Sequence, residues 1–186
     1  VGGCLLETED GSCPNFAASN DATGKPYGVM GDWDVSQVTS LHETFNGAYV
    51  FNADLSKWNT AAVTTMEKTF MSASFFNADI SKWNTAAVTT MLGMFVSAQA
   101  FNQDISKWNT AAVTNMGSMF SNCNNFNSDI SKWNTAAVTD MGGIFYETSV
   151  FNSDISKWNT AAATDMGWIF FNSGFKRTLC GGAWLS

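Results

Sequence analysis

The sequence predicts an α/β solenoid, a stack of coils each made of one short parallel strand and one short helix, with six repeats and a partial seventh. Three observations predict it. The run FNADLSKWNTAAVTTMEKTFMSASF from Phe51 to Phe75 returns nearly unchanged from Phe76, Phe101, Phe126 and Phe151, a period of 25 residues. Within one unit two apolar spacings coexist, one suited to a strand and one to a helix. Neither segment can bury its apolar face alone, so successive coils must cover one another.

The five clear units are preceded by a degenerate one, in which Trp33 aligns with Trp58, Val38 with Val63, Leu41 with Met66 and Phe45 with Phe70. The chain therefore divides into an N-terminal cap over residues 1–25, a six-repeat solenoid over 26–174, and a partial seventh coil or C-terminal cap over 175–186. A cap shields the edge that the first coil would otherwise expose. Cys4 and Cys13 lie close together in that leader and are candidates for a disulfide that staples it. Cys123 falls where other units carry Ala73, Ala98, Thr148 or Ser173, and reads as a small buried residue.

The first half of each unit, FNADLSKW, carries Leu55, Ile80, Ile105, Ile130 or Ile155 between polar neighbours, the pattern of a half-buried strand. It is expected to pair with its copy one coil away, at about 4.8 Å per coil. Leu55 and Trp58 stand three apart and cannot both point inward on a flat strand, so the chain must bend at Trp58. Asn59, Asn84, Asn109, Asn134 and Asn159 follow the tryptophans and suit an Asx turn, with Asp34 in the same role in the first unit. In the second half, Val63, Met66, Phe70 and Ala73 fall at helical spacing, and Thr64 and its copies Thr39, Thr89, Thr114, Thr139 and Thr164 stand where an N-cap is wanted. Stacking then places Phe51, Leu55, Val63, Met66 and Phe70, with their copies, inside.

The recurring FNxDISKWNTAAVTxMxxMF resembles the BspA-like leucine-rich repeats, in the 25-residue form found in mycoplasma surface lipoproteins and algal secreted proteins. The resemblance runs over about residues 26–184. It implies a leucine-rich-repeat-like stack, an extracellular or cell-surface location, and an interaction module with no active site to carry over. Pro26 and Tyr27 in place of Phe-Asn, Leu41 in place of Met, and Ala163 in place of Val depart from the pattern.

Composition narrows the function. With 9 Lys and Arg against 16 Asp and Glu, the net charge of −7 disfavours nucleic acid and anionic membrane surfaces. No run of apolar residues is long enough to span a bilayer. His42 is the lone histidine and has no matching nucleophile, and no phosphate loop, metal-spaced Cys/His cluster or nucleophile elbow appears. The expectation is a protein without enzymatic activity or cofactor, presenting a repetitive surface to a protein partner, to a larger assembly or to its own copies. The alternative is an ice-binding or carbohydrate-binding solenoid.

Several columns are candidates for that surface. Asp54 and its copies form a carboxylate row, which Lys57, Lys82, Lys107, Lys132 and Lys157 are expected to neutralise as an interleaved row. Asn52 and its copies are expected to bond to backbone as a buried amide ladder. Thr60, Thr85, Thr110, Thr135 and Thr160 suggest a flat hydroxyl row. Trp168, Phe171 and Trp184 mark the C-terminal end as a contact surface.

Overall fold

The structure is a computed structural model and describes residues 28–179 and Trp184. The Cys4–Cys13 pair, the whole N-terminal cap over 1–25, and Cys180 lie outside the described residues. The expected repetition is present: a solenoid-like stack in which residues 25 apart occupy equivalent positions, tied by parallel bridges running Ser40, Thr65, Thr90, Asn115, Asp140 and Asp165.

The expected elements within a coil are not. Among the described residues there is no α-helix and no strand beyond isolated bridges; the one regular element is a single 3₁₀ turn at Met30–Asp32. The segment expected to be helical is a succession of four-residue turns. Thr69 N–H donates to Met66 O and Ala73 N–H to Phe70 O, closing turns whose third residues, Lys68 and Ser72, have φ of 51° and 60°. Those angles lie in the left-handed region, which ends an α-helix. The intervening amides turn outward to the next coil. Met66, Lys68, Phe70 and Ser72 N–H donate to Thr90, Leu92, Met94 and Val96 O. A helix would have spent those donors on its own carbonyls, whereas here they tie one coil to the next.

The parallel ladder therefore runs through the half expected to be helical, not through FNADLSKW. In that first half the coils are joined by side chains instead. Trp83 Nε1–H donates to Leu55 O at 3.1 Å, and Trp58, Trp108, Trp133 and Trp158 make the same reach to the preceding coil. Thr64, expected as a helix cap, uses both its N–H and its hydroxyl on Thr39 O. The Asx turns after the tryptophans are present, as in Asn84 Oδ1 accepting Ala86 N–H at 3.0 Å.

The core is a set of aromatic columns. Phe45, Phe70, Phe95, Phe120, Phe145 and Phe170 stack with centroids spaced from 5.3 Å for the first pair to 6.0 Å for the last. A second column, Phe51 to Phe151, lies against it, with Phe70 and Phe76 only 3.7 Å apart and nearly parallel. The tryptophans from Trp58 to Trp158 form a third, with Trp58–Trp83, Trp108–Trp133 and Trp133–Trp158 centroids 6.2 to 6.4 Å apart. Offset stacking of this kind adds to the burial of large apolar surfaces. Trp184 is half-buried and meets Phe170 at 6.4 Å and 33°, much as Trp158 meets Phe145 at 5.9 Å and 34°.

Candidate functional site

The two sides of a coil differ in what they can offer a partner. From Asn52 to Thr64 most polar side chains are already committed to the fold. Asn52 Oδ1 accepts Asn77 N–H at 2.8 Å, and the same bond recurs from Asn77, Asn102 and Asn127 to the next coil. The amide ladder is thus present, although it lies at the surface and not in the core as expected. Thr60, Thr85, Thr110, Thr135 and Thr160 are buried, each no more than 1% exposed. Thr60, Thr85, Thr110 and Thr135 donate their hydroxyls to Asn84, Asn109, Asn134 and Asn159 O. The flat hydroxyl row expected at these positions is therefore internal: a β-hydroxyl beside a carbonyl of the next coil gains more by bonding it than by facing water.

The carboxylate column serves turns. Asp79 Oδ1 accepts Ser81 N–H at 2.9 Å, and Asp54, Asp104, Asp129 and Asp154 repeat the motif with the serine two residues on. The Ser81 hydrogen bonds hold the Asp79 carboxyl below its ordinary value, and Lys82 adds a smaller pull through space. Lys57 alone of its column makes a direct ion pair, 2.6 Å from Asp32, the residue that stands at the lysine position of the first coil. Among the described residues Lys82, Lys107, Lys132 and Lys157 make no such pair and project into solvent. His42 sits on the surface between Glu43 and Glu67, at 3.9 and 3.6 Å.

The turn side is different. Here the copies diverge: Glu67 gives way to Leu92 and then to Gly117, Gly142 and Gly167, while Thr65 becomes Asn115, Asp140 and Asp165. Loss of the side chains opens a groove of about 680 Å³ along the later coils, from Leu92 at one end to Trp168 and Phe171 at the other. A Cβ on Gly117 would stand 2.9 Å from Asp140 Oδ2, and one on Gly142 would stand 3.1 Å from the Asp165 carboxylate. The glycines thus let each carboxylate lie back over the coil before it. Each is fixed through Oδ1, which accepts Gly142 N–H at 3.0 Å in one case and Gly167 N–H at 2.8 Å in the other. Tyr146 stacks on Phe171 at 5.1 Å, and Trp168 meets Phe171 edge-on at 5.2 Å. Trp168 is 69% exposed and Phe171 41%.

Of the sequence candidates, the groove brings together Trp168 and Phe171 and leaves Trp184, the lysines and the threonines elsewhere. Asp140, Asp165 and Tyr146 are added by the structure. The glycine substitutions in the column of Glu67 were the available signal, since glycine mid-coil marks close approach.

A solenoid-like stack with an aromatic core and one divergent, grooved face defines a repeat protein. The chain belongs to the family described as Mycoplasma protein of unknown function, DUF285, which it matches over residues 16–116 and again over 76–181. No curated protein and no solved structure matches it.

Proposed function

We propose that this is a non-catalytic, BspA-like leucine-rich-repeat surface protein whose turn face binds a protein partner or joins it to a larger assembly. The supporting observation is the division of labour around the coil. The constant half spends its polar side chains on neighbouring coils, whereas side-chain identity, the groove and the exposed Trp168 and Phe171 all concentrate on the turn half. Polar groups arrayed as columns can match an extended surface, and a cluster of exposed aromatics supplies an anchor of the type that dominates protein interfaces. The resemblance to surface repeat proteins supports an extracellular or cell-surface setting.

The test is photo-crosslinking of the full chain on its native cell surface, with the crosslinker at residue 168 or at residue 111. The expected result is a discrete adduct from position 168 and none from position 111, which lies on the constant side. Equal labelling from both positions, or none from either, would remove the turn face as the binding surface.

A further inference from the structure

We propose that the groove between Leu92 and Trp168 captures a lysine or arginine side chain of the partner. This rests on the turn-face reading above and adds the chemistry of the ligand. Two features of the groove point to an organic cation, and a third marks Trp168 for a role outside the fold.

The first is charge. Asp140 and Asp165 are parallel bridge partners, so their Cα atoms are held about 4.8 Å apart. Like charges placed directly opposite each other are destabilising. The Asp54 column has a row of lysines three residues on, whereas the residues lining the groove include two aspartates and no Lys, Arg or His. Neither aspartate takes part in an ion pair among the described residues. A cation seated between them would turn a repulsive pair into an attractive one.

The second is the wall. Trp168, Phe171 and Tyr146 stand in contact at the same end. Faces of tryptophan and tyrosine attract ammonium and guanidinium groups, tryptophan most strongly. Carboxylates and an indole lining the same groove form a complementary seat for a planar guanidinium or a lysine ammonium.

The third is the backbone at Trp168. Its φ is 59°, at the turn position that Gly93 and Gly143 occupy in two other coils and Glu43, Lys68 and Ser118 in the rest. A bulky side chain is disfavoured there. At 69% exposure the indole gains little from packing in return, which marks the position for a role outside the fold.

A neutral glycan could also stack on these rings, and a divalent cation could approach the carboxylates, so the test separates the three. An arginine heptapeptide is titrated into the full chain labelled at the indole nitrogens, and the Trp168 Nε1–H resonance is followed by NMR. The expected result is saturable movement of that resonance, with affinity falling at least about tenfold as salt rises from low to physiological strength and beyond. Asp140→Asn with Asp165→Asn should weaken binding by about tenfold or more while keeping the turns, because Asn115 already makes the same bond to Gly117 N–H. Trp168→Gly should abolish the effect on affinity measured by calorimetry without lowering the melting temperature.

Binding of neutral oligosaccharides with no salt dependence would overturn the inference, as would saturation of the site by calcium alone. Absence of any shift with the arginine peptide would overturn it too. If the peptide fails while a crosslinker at 168 still captures a partner, only the cationic ligand is wrong; failure of both removes the turn-face reading as well.

Discussion

Gly93→Ala separates a turn-built coil from a helical one by the sign of its effect. Gly93 has φ of 60° and closes the turn in which Met94 N–H donates to Met91 O. An alanine Cβ there would meet Lys68 Cγ and Val96 Cγ2 at 3.4 Å, so there is room for it and the backbone sets the outcome. Holding an L-residue in the left-handed region costs about 1–2 kcal/mol, partly offset by about 0.4–1 kcal/mol from the stiffer unfolded chain. The net expectation is a loss of about 1 kcal/mol, or a melting temperature lower by about 2–4 °C for a chain of this size. In a helix the same change would stabilise by about 1 kcal/mol. Ser97→Gly, at φ of 58°, should move the other way by about 0.5 kcal/mol. Urea and thermal unfolding of both variants provide the assay. A more stable Gly93→Ala protein would refute the turn assignment.

Thr110→Val keeps the shape of a buried side chain but removes the donor to Asn134 O, and should cost about 1–3 kcal/mol in urea unfolding; an exposed threonine at that position would change stability by less than about 0.5 kcal/mol. The Asp54, Asp79, Asp104, Asp129 and Asp154 carboxyls are all held below their ordinary value, each by hydrogen bonds from the serine two residues on. A folded-state value depressed below the unfolded one gives stability that is present above about pH 3.9 and lost as pH falls through the folded value. Melting temperature should therefore drop on acidification below about pH 4, and Asp104→Asn, which preserves the turn as asparagine does elsewhere in the coil, should reduce that drop. Cys123 is fully buried, donates to Ala98 O at 3.0 Å, and has its thiol pushed up by burial. It should resist thiol reagents in the native protein and react once the chain is unfolded.

The period, the core columns and the Trp-Asn corner were legible because they depend on residue type at fixed spacing. Phe51, Leu55, Val63, Met66 and Phe70 are each at most 2% exposed. The spacing predicts a helix where the structure has turns for a physical reason: apolar residues at Val63, Met66, Phe70 and Ala73 suit one face of a helix and equally suit a chain of four-residue turns pointing inward. The discriminating signal lay in the turn positions, where Gly93, Ser118 and Gly143 occupy one column and Ser72, Ser97 and Asn122 another. Glycine and asparagine tolerate the left-handed backbone and weaken a helix. The threonine column was misplaced because a small hydroxyl is equally at home in water and against a buried carbonyl. The groove was least legible of all. It exists only because glycines in successive coils come into register, Gly117 and Gly142 each beneath an aspartate from the following coil, a coincidence that stacking creates.

The turn-built coil differs from a helical one most directly in the hydrogen-bond partner of one amide. Gly93 N–H donates to Gly117 O at 2.9 Å, one coil on, whereas in the helix it would donate to the carbonyl of Thr89, four residues back. Through-hydrogen-bond NMR coupling on the isotope-labelled chain reads that partner directly. Coupling from Gly93 nitrogen to the Gly117 carbonyl carbon is the predicted result, with the same pattern from Met91 to Asn115 and from Phe95 to Met119. Coupling from Gly93 to Thr89 would contradict the turn-built solenoid, and with it the grooved face on which the proposed function depends.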